Sequence, residues 1–145
     1  MSDLIFIIAG LSALTASIVV IRGQIRTRKR RKAIAAAFSG RIAITPAEFQ
    51  SQYFADTGIR LQIIEGTLQI IQEVLMLDAA RLLPSDDFTG NLRFVWRGID
   101  DWADVEIVEQ LEKRFEISVS DSEAANCKTV SDLIYLVAGK LHPHE

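Results

Sequence analysis

Cysteine is nearly absent from the 145 residues: Cys127 stands alone, so no disulfide can close within the chain. This fits a reducing compartment, and only a second chain could pair with it. Without a histidine or a ligand-like spacing beside it, Cys127 reads as a buried apolar thiol near a helix end. Histidine is scarce too. His142 and His144 flank Pro143 at the chain end and read as a solvated tail rather than as metal ligands. There is no glycine loop suited to phosphate, no zinc motif, and no serine or cysteine nucleophile beside a base. No catalytic residue and no cofactor are expected, and the chain does not read as an enzyme. Strand patterning, internal repeats and low-complexity tracts are also missing, which leaves an all-α reading.

What is present is unevenly placed. Leu4 to Ile21 form an uncharged apolar run of 18 residues, roughly 27 Å as a helix and just enough for one membrane crossing. Directly after it come Arg22, Arg26, Arg28, Lys29, Arg30, Arg31 and Lys32, with no acid among residues 22–32. Bases after the run, rather than before it, argue against a cleaved leader and hold that side in the cytoplasm. The expectation is a single-pass protein of the cytoplasmic membrane, with residues 1–3 outside, a transmembrane helix over 4–21, and the rest inside. The seven bases would lie against anionic membrane lipids. Ala9, Ala13 and Ser17 recur every four residues, a stripe that would let two such helices pack as a homodimer. Residues 41–145 carry nine bases against 18 acids, a surface that repels nucleic acid and suits a cytoplasmic protein with a basic patch.

The remaining chain reads as helices. A basic juxtamembrane helix and linker occupy 22–40, with Ser39-Gly40 as the stop. An accessory region over 41–58 holds a short helix opened by Thr45-Pro46-Ala47-Glu48, with Phe49, Tyr53 and Phe54 as its aromatic face. From 59 to 145 a helical domain begins with about Leu61 to Leu77, its stripe being Ile64, Leu68, Ile71 and Leu75. Gly66 weakens that helix locally. Leu82 to Gly90 reads as a loop. A second helix runs from near Asp100 to Phe115 on the stripe Trp102, Val105, Val108 with Ile107 beside it, Leu111 and Phe115. Capping boxes at Ser120 and Thr129 open a short third helix and a fourth, the last facing inward through Val130, Leu133, Ile134, Val137 and Leu141.

From about Thr67 to Leu141 the order of elements and several motifs resemble acyl carrier proteins. The matching residues are Phe88 and Leu92 in the long loop, then Gly98-Ile99-Asp100 leading into Val105-Glu106-Ile107-Val108. After them come Leu111-Glu112-Lys113-Arg114-Phe115, Ile117-x-Val119-x-Asp121-x-Glu123-Ala124 and Thr129-Val130-x-Asp132-Leu133. The resemblance implies a four-helix bundle, here with an extra short helix and a membrane helix in front. In such proteins a serine opening the second helix is esterified by 4'-phosphopantetheine. In this sequence the corresponding residues are Asp100-Asp101-Trp102, and the carboxylate of Asp101 cannot form that phosphodiester. A five-residue insertion, Arg93-Phe94-Val95-Trp96-Arg97, is a further departure.

The resemblance also implies a partner-binding face on the second helix, carried by Glu106, Glu109, Glu112 and Glu116. Trp96 and Trp102, with Phe94, surround the altered position and either plug an acyl groove or offer an aromatic anchor. Asp100, Asp101 and Asp104 share a helical face and suit the N-terminal dipole of the helix; a divalent-cation site there is the alternative. The expected function is that of a membrane-tethered docking module without a prosthetic group. A working acyl carrier in lipid or polyketide metabolism is the other reading.

Overall fold

Three of the helices start where a side chain satisfies the first turn's free N–H groups. In the computed structural model, which describes residues 20–22, 24–96 and 103–142, three capping boxes do this work. Thr45 opens α2 (Pro46–Tyr53), Ser120 opens α5 (Asp121–Asn126) and Thr129 opens α6 (Val130–Leu141). Ahead of them, α1 covers 24–37 and ends in a turn in which Gly40 takes a φ of 76°. Between them lie α3 (Leu61–Leu75) and α4 (Ala103–Phe115). Two 3₁₀ turns, Ala79–Arg81 and Arg93–Trp96, shape the long connection from α3 to α4.

The central element is α3, which packs on α2, α4 and α6. Its stripe of Ile64, Leu68, Ile71 and Leu75 is buried, and so are Ile63 and Ile70, because neighbours cover more than one side. Val130, Leu133, Ile134 and Val137 of α6 face it, with Leu92 and Val95 from the connection filling the end of the bundle. Gly66 lies where α4 approaches closely: a Cβ there would come within 2.7 Å of the Phe115 ring and 2.8 Å of Arg114 Nε. The N-terminal helices join the same core. Phe38, Phe49 and Phe54 are buried, Phe49 stacks on Phe54 with centroids 5.8 Å apart, and Phe54 reaches Tyr135 of α6 at 5.6 Å.

On α4 the buried residues are Ala103, Ile107 and Leu111. The stripe expected from sequence is therefore turned: Val105 is exposed and Val108 half-buried, and both face the groove described below.

The all-α carrier-like domain stands, but the transmembrane part of the expectation is corrected. Among the described residues no helix is long and apolar enough to cross a membrane. The apolar run, Leu4 to Ile21, lies outside the described residues apart from Val20 and Ile21. The described helical residues 24–37 carry six of the seven bases. The single-pass topology and the placement at the cytoplasmic membrane lose their support with it.

Candidate functional site

Beside α4 lies a groove of about 750 Å³, bounded by α5, the start of α6 and the connection through Phe88 and Trp96. Its walls include Phe88, Trp96, Val105, Val108, Val119 and Cys127, and its rim carries Asp104, Glu109 and Asp121. An apolar floor under an acidic rim suits an uncharged or cationic amphipathic group and disfavours an anion. The Cys127 thiol lies against this floor with Sγ 3.8 Å from the Asp132 carbonyl. Burial, followed by the charges of Asp132 and Glu123, raises its pKa, so it is a poor nucleophile.

The groove wall is held by an ordered network. Trp96 donates its indole N–H to the Phe88 carbonyl at 2.7 Å, and the two rings meet edge to face at 6.0 Å. The Phe88 N–H bonds the Lys128 carbonyl at 2.9 Å, and the Val130 N–H bonds the Asp86 carbonyl at 3.1 Å, joining the connection to the start of α6. Asp86 is buried and accepts two hydrogen bonds from Arg41 at 2.7 and 2.9 Å, one from the Leu83 N–H and one from Asn91. Arg30 donates from Nε to the Val95 carbonyl at 3.0 Å and from Nη2 to the carbonyl of Leu75, the last residue of α3.

The acids singled out on α4 divide by role. Glu106, Glu109 and Glu116 are exposed. Glu112 is half-buried and accepts the Val119 N–H at 2.7 Å, fixing the connection from α4 to α5 after Glu116 has turned into the left-handed region at φ 53°. Trp96 is half-buried in the groove wall. Asp100, Asp101 and Trp102 lie outside the described residues, directly before Ala103. Among the described residues no three His, Cys, Asp or Glu side chains gather as metal ligands. Of the basic residues, Arg22, Arg26, Arg28, Lys29, Arg31 and Lys32 are exposed while Arg30 is turned inward. Sequence reasoning missed Arg41, Asp86 and the inward role of Arg30, because a lone charge in a basic run or a loop carries no mark of its distant partner.

A family model described as "Phosphopantetheine attachment site" matches residues 65–137. An acyl carrier protein of Myxococcus xanthus is 32% identical over 78 residues, covering 54% of this chain and 92% of that protein. One from Micrococcus luteus is 32% identical over 78 residues, covering 54% and 90%. A meromycolate extension acyl carrier protein of Mycobacterium tuberculosis is 30% identical over 73 residues, covering 50% and 59%.

The residues present do not fit phosphopantetheine in its usual place. Attachment needs a hydroxyl, and residues 100–102, directly before α4 in the sequence, are Asp-Asp-Trp and supply none. The hydroxyl in the groove lining, Thr89, is already donated to Asp87 at 2.7 Å. No chemistry on the group is therefore derived for this chain. The fold, the order of its elements and the extent of the match are those of a carrier domain without catalytic activity of its own, and the chain belongs to the acyl carrier protein family.

Proposed function

We propose that this acyl carrier protein-family domain acts by docking a partner protein through α4 and the adjoining groove, without a thioester-bearing arm. The reading is carried by Asp100-Asp101-Trp102, which, on the resemblance described above, sets Asp101 where acyl carrier proteins have the esterified serine. Support comes from the exposed acids Glu106, Glu109 and Glu116, of which Glu109 lines the apolar groove together with Asp104 and Asp121; together they suit a basic surface with an apolar protrusion. A working acyl carrier is the second reading. It is favoured by the family match and by a groove roomy enough for an aliphatic chain, and it requires attachment at another hydroxyl.

Intact-mass measurement after co-expression with a broad-specificity phosphopantetheinyl transferase separates the two. The unmutated chain should show no prosthetic-group increment, and an increment would establish the second reading instead. The double change Asp101→Ser, Trp102→Leu should permit modification.

A further inference from the structure

The N-terminal extension reaches the groove without lining it. Arg30 of α1 binds the carbonyls of Leu75 and Val95 at once, joining the C-terminal end of α3 to the 3₁₀ turn Arg93–Trp96. The next residue after Val95 is Trp96, whose indole is bonded to Phe88, and these two rings form one wall. Arg41, in the turn between α1 and α2, grips the same connection from its other end through Asp86, two residues before Phe88. Val95 is fully buried, and the Arg30 guanidinium satisfies its carbonyl.

We propose that Arg30 and Arg41 are positioning residues for the groove: the extension clamps the wall carrying Phe88 and Trp96, so extension and carrier-family domain form one binding unit. The inference holds whichever reading of function is correct, since it concerns the shape of the groove and not what is attached near it. The forked guanidinium matters, because a lysine ammonium is a single point donor on a flexible stem and holds two diverging carbonyls less well.

Cys127 reports on the wall directly, being the chain's only thiol, placed in the groove lining. The full chain is treated with N-ethylmaleimide at fixed pH, and the rate of Cys127 alkylation is followed by mass. Arg30→Ala should raise that rate about fivefold, the exposure gained when the local opening loses about one net hydrogen bond. Arg30→Lys should give a smaller rise of about twofold, and Arg28→Ala, on an exposed neighbour, none. Leu141→Ala, at the far end of α6, serves as a general destabilisation control, with all rates compared at equal fraction unfolded set by urea. An unchanged rate in Arg30→Ala overturns the proposal. So does an equal acceleration in the Leu141→Ala control, which would mean that Cys127 is reached only by global opening. If Arg30→Ala does not fold, Arg30→Lys decides, and a rate identical to the unmutated chain rejects the clamp.

Discussion

Asp86 is 1% exposed and ionised, a combination that only its partners make tolerable. Burial pushes its carboxyl up, but the hydrogen bonds from Arg41, the Leu83 N–H and Asn91, together with the Arg41 charge, outweigh it and hold the group below the usual aspartate range. A depressed folded-state pKa contributes stability that is fully present above the unfolded value and lost as pH falls through the folded one. Arg41→Ala should therefore cost about 3 kcal/mol in urea unfolding near neutral pH, because it strands a buried charge. The cost should shrink as the pH is lowered past about 3.9, the ordinary value for aspartate. A penalty that does not change with pH would show that the Arg41–Asp86 pair is not its source. None of this is legible locally. Pro84 and Gly90 announce a loop, but nothing in the run from Leu82 to Gly90 says that Asp86 turns fully inward while Asp87 beside it is only half-buried, and the partner of Asp86 lies 45 residues away.

Helix starts were the most readable features of the sequence, because a capping box is chemistry confined to four residues: Thr45, Ser120 and Thr129 each meet their acid at the third helical position. Faces were less so. On α3 the periodic apolar residues are the core. On α4, Val105 and Val108 are apolar for the groove, and the shorter Ala103 takes a core position. A single period cannot tell a core from the lining of a site. Gly66 is a second case of contact deciding against local propensity. An alanine in a helix interior ordinarily gains about 1 kcal/mol over glycine. Here the added methyl meets Phe115 and Arg114 below 3 Å, so Gly66→Ala should lower the thermal midpoint by prying α4 from α3. A raised midpoint would show that Phe115 yields without loss.

At the scale of the molecule, the family match covers residues 65–137, whereas the physical unit begins well before it. Phe38, Phe49 and Phe54 are core residues supplied by the extension, and burying each contributes about 1.5–3 kcal/mol. Removing residues 1–57 should lower unfolding stability by on the order of 5 kcal/mol, most of a small domain's total, measured by urea titration. A shortened chain that unfolds at the same urea concentration would show the extension to be dispensable. The aromatic face of α2 was legible in the sequence, and the continuity of this core was not, because each phenylalanine is explained only by the α3 and α6 surfaces it covers. A domain is ordinarily expected to fold alone when the chain is cut at its boundaries. The Arg41–Asp86 pair sets a different rule for this chain: a domain excised at the family boundary leaves behind the counterion of its own buried charge, so any transplant has to take the preceding helices with it.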